Sequence, residues 1–123
     1  MTKKETIRFL QCYLESCAKI DNREKDLEEW EQRYRKNLSF GVLMPMSLIM
    51  CDIKAEVEQA ARKRDEVKAA VEEVQDGRIR MVLDGRYLAG KSYRRIAKEM
   101  NYTERRVLQL HQKGIIEIRE KYK

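Results

Sequence analysis

Two polar side chains near the start of a predicted helix have the chemistry to read DNA bases. Apolar residues at helical spacing predict this helix over residues 104–122. Arg105 lies early in it, and an arginine can donate two hydrogen bonds to guanine. Gln109 follows one helical turn later, and a glutamine can pair in the same bidentate way with adenine. We therefore expect both side chains to contact bases.

Basic side chains surround this pair and are better suited to phosphate contacts. They are Arg106 and Lys113 on the same helix, and Lys91, Arg94, Arg95 and Lys98 on the helix predicted before it. The sequence leaves open a pairing of Arg106 with Glu99 or Glu104. It also leaves open a structural role for Arg86, and we expect His111 to be a packed or surface histidine rather than a phosphate contact.

The spacing of apolar residues across these two helices is that of a helix-turn-helix. Two helices that cross over a short turn need a small residue at the crossing, a residue tolerant of positive φ in the turn, and apolar residues at fixed offsets. The sequence supplies Ala97 at the crossing, Asn101 in the turn, and Ile96, Met100, Tyr102, Val107 and Leu110 at the apolar positions. Ser92 and Thr103 are placed to cap the helices that follow them.

The same segment resembles a known family. The runs RMVL, RY and KSYRRIA between residues 80 and 97, and YTERRVLQL at 102–110, resemble region 4 of sigma-70-type factors over residues 78–121. The layout of the whole chain is similar to that of the small sigma-like regulators of Gram-positive prophages. The resemblance implies a DNA-binding transcriptional regulator that contacts double-stranded DNA, with RNA polymerase as a further partner.

The family pattern also implies which side chains read the major groove. The matching positions here are Glu104, Arg105, Leu108 and Gln109. Only Gln109 has the residue type usual in the family, and Leu108 stands where a basic residue is typical. Nothing in residues 1–77 resembles sigma regions 2 and 3, so a complete sigma factor is not expected.

The charge distribution points to the same end of the chain. Residues 78–123 hold 13 Lys or Arg and 5 Asp or Glu, whereas residues 1–77 hold 14 and 16. A basic segment on a neutral or acidic body is typical of proteins that bind a polyanion, most often a nucleic acid.

We predict an all-α protein in which a long antiparallel helical hairpin precedes the helix-turn-helix domain. The chain has one proline, five glycines and 7% aromatic residues, and it has no period-2 apolar runs. Apolar steps of three and four residues predict a helix over 3–36. A heptad seam of Ile53, Ala60, Val67 and Val74 predicts a second helix over about 48–76. The seam leaves open whether its partner is the first helix or a second copy of the chain.

Two boundaries follow from breaker residues. Residues 37–51 carry no charge and contain Gly41 and Pro45, so we expect a loop over 37–47 with Pro45 and Ser47 at the start of the next helix. Asp76-Gly77 is expected to stop that helix. The predicted domains are therefore residues 1–76, an interaction region that could form a homodimer, and residues 77–123, the DNA-binding domain.

Several classes of function are not supported by the residues present. Cys12, Cys17 and Cys51 are expected to be small buried side chains in a reducing cytoplasm, without a disulfide or metal. No phosphate-binding glycine loop, catalytic triad or metal-ligand spacing is present, so we expect neither an enzyme nor a cofactor. No apolar run is long enough for a signal peptide or a membrane span.

Two hypotheses remain. The first is a sequence-specific DNA-binding regulator. The second is a helical adaptor that binds RNA polymerase or a sigma factor without reading DNA. Only the first requires Arg105 and Gln109 to be exposed on one side of their helix.

Overall fold

The computed structural model describes residues 2–36 and 40–122, and for residues 40–45 it describes the backbone alone. Within this part the chain is 88% helical and has no strand, so the predicted all-α class is confirmed. Helix α1 spans Lys3–Lys36, α2 spans Phe40–Glu72, α3 spans Gly77–Leu83, α4 spans Tyr93–Met100 and α5 spans Glu104–Lys121. A π-helical turn, Asp84–Leu88, follows α3. No helix among the described residues is long and apolar enough to cross a membrane.

The chain divides into two compact units. The smaller unit is Glu15–Lys63, and the larger unit is Met1–Leu14 together with Arg64–Lys123. The larger unit therefore includes residues on both sides of position 76, where the sequence predicts a domain boundary. The predicted boundary therefore separates the first turns of α1 and the last turns of α2 from the C-terminal residues of the same compact unit.

The smaller unit consists of the facing parts of α1 and α2. An ion pair joins Arg23 Nε to Glu56 Oε2 at 2.7 Å, and it links two helices that only residues 37–39 connect. The two helices are therefore antiparallel, as the hairpin prediction requires. The buried residues here include Ile20 of α1 and the seam residues Ile53 and Ala60 of α2. The first two positions of the heptad seam are therefore confirmed as an apolar contact surface.

The predicted loop before α2 is wrong over residues 40–47. Helix α2 begins at Phe40, and residues 37–39 lie outside the described residues. The run from residue 40 to residue 51 is rich in Leu and Met, which favour helix. Pro45 lies only five residues from the helix start and costs the helix one backbone hydrogen bond. Helix propensity therefore outweighs the breaker residues.

Asp76-Gly77 starts a helix and does not stop one. Helix α2 already ends at Glu72, and Gly77 is the first residue of α3. The Asp76 side chain accepts a hydrogen bond from the Arg78 backbone N–H at 2.9 Å, and this bond is the main reason that the pKa of Asp76 is lowered. Across the connection, the Arg80 guanidinium donates to the Val74 carbonyl at 3.0 and 2.6 Å, which satisfies a buried acceptor just beyond α2.

One apolar core fills the larger unit. It is built from Leu10 of α1, the seam residues Val67 and Val74 with their neighbour Val71, and apolar residues of α3, the π turn, α4 and α5. The last two seam residues therefore do more than form a helix–helix contact with α1, because they also pack in the core that holds the C-terminal helices. Several of the large apolar side chains here, Leu10 among them, are less than 2% exposed, so their truncation would leave cavities.

The cysteines are less buried than expected. All three are free thiols, with Cys12 and Cys17 half-buried and Cys51 exposed. The Cys12 thiol donates to the Arg8 carbonyl at 3.2 Å, one turn earlier in the helix. The expectation of three buried side chains is wrong for Cys51, which lies two residues before the buried Ile53 and so points away from it.

Candidate nucleic-acid interface

Helices α4 and α5 are joined by a turn whose residues end one helix and begin the next. Asn101 adopts the left-handed conformation (φ 58°, ψ 38°). The Tyr102 backbone N–H then bonds the Ala97 carbonyl at 2.9 Å, closing a Schellman-type end. The Thr103 hydroxyl accepts from the Arg106 backbone N–H at 3.1 Å and caps α5, as predicted.

Helix α4 begins with a matching cap. The Ser92 hydroxyl accepts from the Arg95 backbone N–H at 3.2 Å, and the predicted helix Tyr93–Met100 is confirmed at both ends. Gly90, with φ of 70°, precedes this cap and allows the Lys91 backbone N–H to reach the Gly85 carbonyl at 2.9 Å.

The predicted helix-turn-helix packing is present. Ile96, Ala97, Val107 and Leu110 are buried, and Met100 and Tyr102 are half-buried against the same core. A Cβ at Gly85 would stand 3.1 Å from Ile96, so the π turn also approaches α4 closely. With Asn101 in its left-handed conformation, all seven predicted positions have the environment that this arrangement needs.

Gly114, which the sequence analysis did not single out, holds α5 against α3. A Cβ at Gly114 would lie 2.8 Å from both Ile79 Cγ2 and Leu83 Cδ1. The absent side chain therefore allows the two helices to approach. The signal in the sequence was a glycine in the interior of a strong helical pattern, a position that usually has a packing reason.

His111 belongs to the core and not to the surface. It is 6% exposed, and its Nε2 lies 2.5 Å from the Tyr87 hydroxyl and 3.4 Å from the Tyr93 hydroxyl. Burial, with smaller contributions from the charges of Arg86 and Lys3, lowers the pKa of His111 to about 4. The imidazole is therefore neutral at pH 7. The Tyr87 hydroxyl is protonated at this pH and can donate to the ring, and burial raises the pKa of Tyr87 further.

Arg86 also has a structural role. Its Nη1 donates to the Lys91 carbonyl at 3.3 Å, and its guanidinium carbon lies 4.4 Å from the centre of the Tyr93 ring. These contacts connect the π turn to the start of α4. Arg86 therefore fixes the position of a helix that carries several of the predicted phosphate contacts.

The four predicted base-reading residues lie on the outer side of α5. Glu104, Arg105, Leu108 and Gln109 are all exposed, and at 100° per residue they share one face of the first two turns. Arg105 makes no hydrogen bond or ion pair with any described residue, whereas Gln109 Oε1 accepts a long bond of 3.4 Å from Arg106 Nη1. That contact replaces the pairings of Arg106 with Glu99 or Glu104 that the sequence left open.

Apart from Arg106, which is half-buried and bonds Gln109, the predicted phosphate contacts fall into two groups. Arg94, Lys98 and Lys113 are exposed and make no ion pair with the described part of the chain. Lys91 and Arg95 instead share one carboxylate: Lys91 Nζ lies 2.8 Å from Glu99 Oε2, and Arg95 Nε lies 3.2 Å from Glu99 Oε1. The hydrogen bond from Lys91 is the main reason that the pKa of Glu99 is lowered.

Arginines occupy the first turn of both helices of the pair. Arg94 and Arg95 follow the first residue of α4, and Arg105 and Arg106 follow the first residue of α5. The positive end of a helix dipole disfavours cations at these positions. Glu104 is the single acidic residue in the two turns.

No metal-binding cluster of three or more His, Cys, Asp or Glu side chains occurs in the described ranges. The exposed cations and amides around α4 and α5 can donate hydrogen bonds to a polyanion, and carboxylates and two large apolar side chains are exposed beside them. Comparisons of the chain with known protein families, with curated proteins and with solved structures give no match.

Proposed function

We propose that this chain is a sequence-specific DNA-binding regulator of transcription, which inserts the first two turns of α5 into the major groove. The observation that carries the proposal is the exposed outer face of α5, where Arg105 and Gln109 stand one turn apart. Both side chains have the geometry for bidentate contacts, with guanine and adenine respectively. Leu108, which is 44% exposed between them, suits contact with a thymine methyl group.

The four arginines at the helix starts support the same conclusion. Each placement against a helix dipole costs about 0.3–1 kcal/mol at a surface position, and nothing in the packing of the core requires it. Clustered cations at two helix starts raise the local positive potential, as a phosphate backbone would require. Local rules broken at several neighbouring positions are a usual mark of a functional surface.

A selection of bound duplexes from random DNA, followed by titration of the winning duplex at several salt concentrations, tests the proposal. The full chain is used because Leu10 and Val67, outside the helix-turn-helix, complete its core. We expect affinity to fall steeply with salt, with a slope of about 0.9 for each phosphate neutralised. Lys98→Gln should lower that slope, whereas Lys54→Gln in the smaller unit, the matched control, should leave it unchanged. A slope near zero, or no enriched sequence, would contradict the proposal.

A second candidate function is a protein-interaction adaptor, and a separate observation favours it. Leu108 and Ile116 on α5 and Leu48 on α2 are 44%, 53% and 64% exposed, unusually high for such large apolar side chains. RNA polymerase, a sigma factor or a second copy of the chain could cover such side chains, either those on α5 or the one on α2. Under this candidate, Ile116→Gln abolishes capture of purified RNA polymerase and leaves duplex binding intact. Sedimentation equilibrium of the full chain on its own tests the homodimer: a dimeric mass supports a second copy as the partner, whereas a monomeric mass leaves RNA polymerase or a sigma factor.

A further inference from the structure

We propose that Glu99 limits the affinity of this surface for DNA, as an internal carboxylate that competes with DNA phosphates for Lys91 and Arg95. This inference rests on the proposed function and concerns how tightly the same surface holds DNA of any sequence. Each oxygen of the Glu99 carboxylate accepts a hydrogen bond from one cation: Oε2 from Lys91 Nζ at 2.8 Å, and Oε1 from Arg95 Nε at 3.2 Å. The arrangement resembles the way in which a phosphate would engage the same two side chains.

The backbone of this cluster is fixed while the carboxylate remains accessible. The Lys91 backbone N–H bonds the Gly85 carbonyl, and the Lys91 carbonyl accepts from Arg86. The Lys91 side chain passes Gly85, whose added Cβ would lie 3.8 Å from Lys91 Cδ. Glu99 and Arg95, one turn apart on α4, are 45% and 65% exposed in their side chains. An incoming phosphate can therefore reach the cations, but it meets a carboxylate already bound to them.

Glu99, like any exposed glutamate, is ionised at neutral pH, and the hydrogen bond from Lys91 lowers its pKa and so favours the anion further. A phosphate that approaches Lys91 and Arg95 must displace this anion or bind beside it, and both cost affinity. The cost falls on every duplex alike, because phosphates carry no base information. Glu99 therefore lowers the affinity for specific and non-specific duplexes by the same factor and leaves their ratio unchanged. At a given protein concentration, a duplex whose bases also bind Arg105 and Gln109 stays bound, whereas a duplex held by its phosphates alone is released.

Glu99→Gln (E99Q) tests this role, and Glu120→Gln (E120Q) is the matched control. Glu120 is exposed near the end of α5 and lies in the same compact unit, so both variants remove one negative charge from that unit. Binding of the wild type and both variants to a random duplex and to the selected duplex is titrated at several salt concentrations. We expect E99Q to bind the random duplex about threefold to tenfold more tightly than E120Q does. The salt slope of E99Q should be steeper by up to about 1.8, since two cations become available.

A double-mutant cycle adds a readout that a change in overall fold would not produce. Lys91→Ala should weaken binding of the random duplex more in the E99Q background than in the wild type, because Glu99 no longer occupies the lysine. Equal binding by E99Q and E120Q, or an additive cycle, would overturn the inference while leaving the proposed function standing. No binding of any duplex by the wild type at low salt would instead refute the proposed function itself.

Discussion

Reversal of the charge of Arg94 should make the protein more stable and a poorer DNA binder. Arg94 is the second residue of α4, is exposed, and stands one turn before Lys98. In Arg94→Glu, an unfavourable charge at the positive end of the helix dipole becomes a favourable one. The variant also replaces the repulsion from Lys98 with an i,i+4 attraction. The dipole effect of about 0.3–1 kcal/mol per charge and the pair effect of about 0.2–0.5 kcal/mol each count twice when the charge is reversed, which gives a gain of about 1–3 kcal/mol.

Urea unfolding at low ionic strength measures that gain, and duplex titration measures the accompanying loss. The gain should shrink in high salt, because the dipole interaction is screened. Arg94→Gln removes the charge without reversing it and should fall between the wild type and Arg94→Glu in both measurements. We expect the DNA salt slope of Arg94→Gln to drop by about 0.9. A variant that loses stability, or one that keeps full DNA affinity, would refute the reasoning that stability is sacrificed at this turn for phosphate binding.

Three further predictions follow from the same contacts. Gly114→Ala should destabilise the fold by about 2 kcal/mol, because overpacking against α3 exceeds the gain in helix propensity. Gly77→Ala is the control and should not destabilise the fold, because nothing lies within 4 Å of its added Cβ. Equal urea unfolding midpoints for the two variants would contradict this prediction. His111 is neutral in the folded state and has a pKa of 6.5 when unfolded, so stability should fall by about 3 kcal/mol as the pH drops from above 6.5 to about 4. His111→Asn should lose that part of the pH dependence, as unfolding curves at each pH would reveal. Arg105→Ala should cost about 1–3 kcal/mol on the selected duplex and relax the preference at one base pair, whereas Lys98→Ala should weaken all duplexes alike; equal losses on selected and random duplexes would make Arg105 a phosphate contact.

Short-range patterns predicted most of the helix pair. Ser92, Asn101 and Thr103 act on backbone groups only a few residues away, so the sequence around each one contains nearly all of the relevant information. The apolar positions from Ile96 to Leu110 could be placed because the crossing geometry of two adjacent helices fixes their spacing. These features are local, and the predictions about them are confirmed.

Contacts between distant segments were not predictable in the same way. The need for a glycine at position 114 depends on Ile79 and Leu83 of another helix, and no pattern within α5 names those partners. Likewise, Leu10 and Val67 join the core of the larger unit although the sequence assigns them to the N-terminal hairpin. The seam was found correctly, but a heptad pattern does not specify which surface covers each of its turns.

The prediction of where α2 begins was wrong for a different reason. Gly41 and Pro45 are breakers by local rules, and those rules favour a loop there. Helix propensity of the neighbouring Leu and Met residues acts in the opposite direction, and a single proline near a helix start has a limited cost. The competition between two local preferences, each of a few kcal/mol or less, cannot be decided by either rule alone.

The choice of capping residues completes the electrostatic argument for the helix pair. Helix α3 is capped by the charged Asp76, which interacts favourably with the dipole, whereas α4 and α5 are capped by the neutral Ser92 and Thr103. Aspartate caps a helix about as well as serine does, so stability alone would not separate the three positions. A carboxylate at residue 92 or 103 would, however, stand beside the arginines of the first turns and repel a phosphate. The hydroxyl caps satisfy the backbone without adding an anion, and so preserve the positive potential at the two helix starts that the proposed DNA contacts require.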